Sequence, residues 1–178
     1  MVSLYHLSIQ AYHYYYYFYF FAHKNLNFLE LLNFPKNISL VVSLHGLTRT
    51  YDWLMGYEGL LDLAEEFNFI VVTPLGYTRK GWYGSWSKGL DERSLAKEGP
   101  YSEKDVMNVL GLVRDNYSID SSNIFLWGHS MGGAGTYYLG MKYPDLWKAL
   151  ALAAPAPPQV RNVKDLKIIQ MFLFYTIF

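Results

Sequence analysis

The sequence predicts an α/β domain, a mostly parallel sheet with helices on both of its faces. Three observations lead there. Apolar runs of β type alternate with amphipathic stretches four times between residues 38 and 154. The runs are continuous rather than alternating in polarity, as strands buried on both faces are. One of them breaks directly into Gly128-His129-Ser130-Met131-Gly132, followed by a small-residue stretch able to start a helix.

The first strand is the β-branched run Ile38-Ser39-Leu40-Val41-Val42-Ser43-Leu44, which ends at His45-Gly46. Residues 53–67 then set Leu54, Leu60, Leu61, Leu63 and Ala64 among Glu58, Asp62, Glu65 and Glu66. That spacing predicts a helix over one sheet face, with Gly56 and Gly59 weakening its first turns. Residues 67–73 form the second strand, closed by Pro74. The segment 75–100, rich in Gly, Trp, Tyr and charge, is expected as a long loop on the substrate side, because structureless segments of that length are usually functional or mobile.

Ser102 and Asp105 have the spacing of a capping box, and Val106, Val109, Leu110 and Val113 follow at i, i+3, i+4 and i+7. A helix is therefore expected from there to near Tyr117. The turn-like residues 118–122 lead into a strand that reaches Gly128, and a helix over 131–143 is stopped by Pro144. Apolar runs at 146–154 and 166–174 read as further strands, and no internal repeat is visible. His45-Gly46, Pro74, Ser130 and Ala154 all fall at carboxyl ends of these strands, where parallel sheets place their sites.

The G-x-S-x-G turn makes Ser130 the candidate nucleophile. A strand-to-helix turn this sharp holds the serine at strained dihedrals with Oγ exposed, and glycines at 128 and 132 let the neighbouring backbones pass. A serine hydroxyl is a weak nucleophile, so acyl transfer also needs a general base and donors aimed at the developing oxyanion. The N–H of Met131, directly after the nucleophile at a helix N-terminus, is one such donor.

Four motifs together resemble the α/β-hydrolase superfamily, and within it esterases related to polyhydroxybutyrate depolymerases, feruloyl esterases and predicted prolyl-oligopeptidase-like peptidases. They are Leu40-Val41-Val42-Ser43-Leu44-His45-Gly46, Phe69-Ile70-Val71-Val72-Thr73-Pro74, Gly128-His129-Ser130-Met131-Gly132-Gly133 and Lys142-Tyr143-Pro144-Asp145-Leu146-Trp147. The resemblance covers residues 38–168 and implies a serine hydrolase acting on carboxylic esters through an acyl-enzyme, its fold truncated after the sixth or seventh strand. It places the second oxyanion donor at the Leu47 N–H, in the loop after His45-Gly46, with His45 as a brace for that loop. The triad order implied is Ser, then Asp or Glu, then His, yet no histidine follows His129.

His129, beside the nucleophile on the elbow, is read as a packing residue. Of the two acids after Ser130, Asp165 precedes the strand that the triad acid should follow, and Asp145 lies in a Tyr-Pro-Asp turn. The expectation is a chain without its triad acid and His, showing little or no turnover by itself. The alternative is a non-catalytic hydrolase-fold fragment or binding module. Trp82, Tyr83 and Trp86 are substrate candidates, as an aromatic wall beside Ser130 for an aryl or acyl group; the competing reading has this loop packing its aromatics on its own domain.

Composition narrows the partners. With 15 basic and 15 acidic residues the formal net charge is zero, so nucleic acid is not expected as a partner. There is no cysteine, and no phosphate loop, zinc site or calcium loop is recognisable, so no metal and no cofactor are expected beside a small-molecule ester. At 178 residues the chain is short for a complete α/β-hydrolase, which usually needs about two hundred or more. Ten aromatic residues precede Ala22, and no charged side chain precedes Lys24. A membrane span or signal peptide is argued against by tyrosine's preference for interfaces, the missing Lys/Arg leader, and His6, Gln10 and His13. Secretion or anchoring would require residues 4–22 to act as a leader. The domain reading is a poorly ordered aromatic-rich extension at 1–33, a partial hydrolase domain at 34–170 and an apolar tail at 171–178, both ends as expected of a misplaced start and of reading into non-coding sequence.

Overall fold

Among the described residues the strands and α-helices are, in chain order, β1 (Leu4–Ala11), β2 (Tyr14–Phe21), β3 (Ile38–Leu44), α1 (Leu60–Glu66), β4 (Phe69–Pro74), α2 (Glu92–Asn116), β5 (Ile119–His129), α3 (Met131–Lys142), β6 (Ala149–Ala153) and β7 (Gln170–Phe174). They come from a computed structural model that describes residues 4–11, 14–21, 37–85, 92–156 and 170–174. The strands form one seven-stranded sheet in the order β1-β2-β4-β3-β5-β6-β7. β4, β3, β5, β6 and β7 run parallel, while β2 pairs antiparallel with both β1 and β4.

This order explains the two layers. The step from β3 to β4 goes one way along the sheet, and the step from β4 to β5 passes back over β3. Right-handed crossovers in opposite directions put their helices on opposite faces. One face accordingly packs Leu40, Val42, Leu44, Ile70, Val72, Ile124 and Leu126 against Val106, Val109, Leu110 and Val113 of α2 and Met131, Ala134 and Leu139 of α3. The other packs Val41, Phe69 and Val71 against Met55, Leu60, Leu61 and Ala64, from α1 and the turn before it. Adjacent residues of β3 and β4 thus feed different cores, which is why these strands read as continuous apolar runs.

Several elements differ from expectation. The helix expected over 53–67 is divided into a 3-10 turn, Trp53–Gly56, and α1, because Gly59 takes left-handed dihedrals (φ 81°) at the α1 N-cap. The loop expected over 75–100 is shorter, since α2 begins at Glu92 and carries Pro100 inside it. Proline removes one helical N–H but has a helix-compatible φ, so the buried Val106–Val113 stripe keeps the helix together despite it. Ser102 and Asp105, read as a capping box, instead accept hydrogen bonds from that loop: Tyr83 N–H to Ser102 Oγ at 3.0 Å and Gly76 N–H to Asp105 Oδ2 at 2.8 Å. β1 and β2 fall within the segment 1–33, and four of the five residues of β7 fall within the tail 171–178. Runs of Tyr and Phe are strong strand formers, and the unpaired edge of β4 offers them a ladder.

Among the described residues no helix is long and apolar enough to cross a membrane, and no group of three His, Asp or Glu side chains could hold a metal ion.

Candidate active site

Ser130 sits between β5 and α3 with φ 56° and ψ −112°, outside the regions that L-residues normally occupy. Such a conformation costs about 1–3 kcal/mol and persists only where its surroundings over-determine it. Here they do. The Ser130 N–H donates to Ala153 O at 3.0 Å, at the end of β6, and the Ser130 carbonyl accepts from Ala134 N–H at 3.1 Å and Ala156 N–H at 3.0 Å. A Cβ on Gly128 would lie 2.4 Å from the Gly132 carbonyl, and one on Gly132 would lie 2.0 Å from Leu44 O. Both glycines are required by close approach of backbone, as the motif suggests.

Ala134 is the first residue of α3 to donate back into the elbow, to the Ser130 carbonyl. The N–H groups of Met131, Gly132 and Gly133 lie ahead of it, with no helical carbonyl four residues back to receive them, and the helix dipole adds positive potential at the same end. An anion forming on a group bound at Ser130 would meet this end of α3.

Facing the elbow is the loop after β3. His45 is wholly buried, its Nδ1 2.8 Å from Gly46 O and its Nε2 2.9 Å from Leu75 O. Burial lowers its pKa below the ordinary 6.5, the two carbonyl contacts opposing. Each ring nitrogen faces a backbone carbonyl, and the neutral ring donates its one N–H to one of them, so the side chain is turned toward the loop's own backbone. The next turn is closed by Thr48 N–H to Arg79 O at 3.0 Å and Arg49 N–H to Gly46 O at 3.1 Å. Because the C=O and N–H of a trans peptide point in opposite directions, a Gly46 carbonyl drawn into the loop turns the Leu47 N–H outward. Leu47 is exposed.

His129 packs in an aromatic cluster, 5.3 Å from the Trp53 ring and 6.2 Å from the Tyr57 ring, with Arg49 over the Trp53 ring at 5.1 Å. Its Nδ1 is buried beside Gly46 with no hydrogen-bond partner. Burial, then Arg49, lowers its pKa from 6.5. The packing reading of His129 agrees with this geometry.

Tyr83 has no exposed surface and Trp82 is 7% exposed, both inside the main core. The aromatic wall expected of these residues is therefore not formed by Trp82 or Tyr83: the glycines at 76, 81 and 84 let this loop fold its aromatics inward. Trp86 lies outside the described residues, as does Asp165. Asp145 is exposed in the turn after α3.

A polar cluster that sequence reading missed joins α2 to α3. Glu103 accepts from Tyr138 Oη at 2.9 Å and from Tyr143 Oη, and Lys142 Nζ reaches its two oxygens at 2.7 and 2.8 Å. Burial pushes the Glu103 carboxyl up, but the hydrogen bonds from Lys142, Tyr143 and Tyr138 outweigh it and hold the carboxyl below the usual range. Tyr138 and Lys142 stand four apart on one helix face, a spacing visible in the sequence, but nothing local points to Glu103 as their partner.

The two lowered histidines carry a pH dependence. With folded pKa values below 6.5, the unfolded chain binds more protons in the interval beneath it, so their stability is complete above 6.5 and is lost as pH falls through the folded values. The melting temperature is expected to drop between about pH 7.5 and about pH 5.5. His129→Phe, which keeps the stack and removes the proton site, should reduce that drop in circular-dichroism melts; an unchanged drop would place the effect at other groups.

Residues 34–163 match a family model described as "Putative esterase". Acetylxylan esterase A of Aspergillus awamori is 28% identical over 118 residues, which are 66% of this chain and 37% of that protein. S-formylglutathione hydrolase of Rattus norvegicus is 28% identical over 124 residues, 63% of this chain and 44% of that protein. The chain thus spans less than half the length of these curated relatives. Among solved structures, the acetyl xylan esterase from Aspergillus awamori superposes with a TM-score of 0.62 at 24% identity, over 84% of this chain and 51% of that one. A ferulic acid esterase from Anaeromyces mucronatus does so with a TM-score of 0.62 at 20% identity, over 88% and 59%. These likenesses establish the fold.

Proposed function

Because the chain belongs to an esterase family of the α/β-hydrolase superfamily, matched over residues 34–163, we propose that it forms the nucleophile half of a serine hydrolase of carboxylic esters. The observation that carries this reading is Ser130 itself, held at strained dihedrals on a strand-to-helix elbow whose flanking glycines have no room for a Cβ. In the proposed chemistry Ser130 Oγ attacks the ester carbonyl while a base takes its proton. The oxyanion of the tetrahedral intermediate accepts from the Met131 and Leu47 N–H groups, and the alcohol leaves with the transferred proton. Water then hydrolyses the acyl-enzyme.

The relatives are named for acetylxylan, S-formylglutathione and ferulic acid, which supports a small or aryl acyl group on a small-molecule ester or thioester here. The base and its acid are proposed to lie outside this chain, since no histidine follows His129 and the two earlier positions nearest the elbow, His45 and His129, are committed to packing. That same gap favours the second reading, a hydrolase fold kept as a non-catalytic module.

A fluorophosphonate probe and a p-nitrophenyl ester, applied beside Ser130→Ala, separate these. Slow labelling that maps to Ser130 and disappears in the variant, with ester turnover near background, is the expected result. Labelling that survives in the variant would remove Ser130 from its role. Complete inertness towards the probe would favour the non-catalytic module.

A further inference from the structure

Trp82, Tyr83 and Gly84 follow one another in the left-handed region, at φ 58°, 55° and 82°. Two consecutive L-residues adopt this only where their surroundings impose it. The surroundings of Tyr83 come from four directions. Its N–H donates to Ser102 Oγ of α2 at 3.0 Å, and its hydroxyl donates to the His45 carbonyl at 3.3 Å. One ring edge lies 2.5 Å from where a Cβ on Gly76 would stand, and the other 2.6 Å from where a Cβ on Gly135 would stand. The ring meets His45 edge-on at 5.6 Å between centroids. Tyr83 therefore spans from the loop after β4 to α3, with its hydroxyl ending on the loop after β3.

We propose that Tyr83 is a positioning residue that sets the spacing between the two oxyanion donors, a role that rests on the reading of Ser130 as nucleophile. The donors lie on separate elements, Met131 at the start of α3 and Leu47 beyond β3. Gly135 stands one helical turn after Met131, so the Tyr83 ring bears on the same stretch of α3 that supplies the first donor. The hydroxyl holds the His45 carbonyl, which lies 2.8 Å from where a Cβ on Gly132 would stand and so is caught between Tyr83 and the elbow. Fixing that carbonyl fixes the peptide plane between His45 and Gly46. The next plane, between Gly46 and Leu47, is fixed by the contacts of Gly46 O with His45 Nδ1 and Arg49 N–H. Two planes in series thus lead from the Tyr83 hydroxyl to the direction of the Leu47 N–H.

Phenylalanine would fill the same space, so the hydroxyl is the part that needs a reason. Burial pushes the phenol well above its ordinary value, which keeps it a donor throughout the working pH range.

The test follows the Leu47 and Met131 amides by 1H–15N NMR while phenylboronic acid is added. Its boron takes up Ser130 Oγ to give a tetrahedral boronate, the serine proton passing to solvent, and Ser130→Ala serves as control. In the unmodified chain both amides should shift together along one binding curve. In Tyr83→Phe the Met131 shift should persist, the Leu47 shift should shrink, and the dissociation constant should rise roughly three- to tenfold, the worth of one hydrogen bond. Ser102→Ala, which frees the Tyr83 N–H, should act in the same direction and covers the case of a Phe variant that does not fold. Both amides shifting in Tyr83→Phe as in the unmodified chain, at an unchanged dissociation constant, would overturn the positioning role and leave Ser130 untouched. No response at either amide in the unmodified chain would overturn the nucleophile reading and this role with it.

Discussion

Gly132→Ala is expected to cost the domain about 4 kcal/mol or more, enough to leave little cooperative unfolding to measure. The added Cβ would lie 2.0 Å from Leu44 O, 2.5 Å from Leu44 C and 2.8 Å from His45 O. All three atoms are backbone, so no rotamer change relieves the contact. Nor can the strand give way, because β3 is hydrogen-bonded to β4 on one side and β5 on the other. Overpacking in a core that can adjust costs about 1–3 kcal/mol, and a domain of this size has about 5–15 kcal/mol in all. Gly111→Ala is the control: it lies inside α2 with nothing within 4 Å of the new Cβ, and should stabilise by about 0.5–1 kcal/mol. Urea unfolding followed by circular dichroism measures both. A Gly132→Ala unfolding free energy within about 1 kcal/mol of the parent would mean that the elbow and β3 are further apart than described.

Ester turnover by the 178-residue chain is expected about a millionfold below that of a serine hydrolase with its triad in place, roughly 8 kcal/mol of barrier. The loss is that of the base. Met131 and Leu47 would still offer hydrogen bonds to an oxyanion, and such a hole with substrate binding retains about a thousandfold over water. Steady-state hydrolysis of p-nitrophenyl acetate, with Ser130→Ala alongside, should therefore show two low and similar rates. A rate of ordinary esterase size that vanishes in the variant would require a histidine of this chain to serve as base. His45 would have to release Gly46 O and Leu75 O, and His129 would have to leave the Trp53 and Tyr57 rings. Either move would be visible as a change in the ring-proton shifts of the neighbouring aromatics.

Much of the site was legible in the order of residues, because an elbow is a local object. Gly128, Ser130 and Gly132 announce it by spacing, and the structure adds the strained serine and the forbidden Cβ positions that the spacing implied. The place of His45 was legible for the same reason: it follows the end of a strand, and its Nδ1 contact is to the next residue. The aromatic loop was not legible. Trp82 and Tyr83 look alike in sequence whether they line a surface or fill a core, and what decides is the partner brought in from far along the chain. Ser102 is 19 residues away from Tyr83, and the His45 carbonyl 38.

Taken alone, the sequence determined the alternation of strand and helix between residues 38 and 154, where the chain turns sharply enough to present a serine, and that no histidine follows the elbow. All of these depend on periodicity, turn chemistry or order along the chain. Tertiary structure decided the rest: the strand order, the face each helix covers, the earlier start of α2, the pairing of β1 and β2 with the sheet, and the burial of Tyr83 beneath the loop after β3. Each of these depends on which distant segments meet, and local spacing carries no record of a partner that only the folded chain brings within 3 or 4 Å.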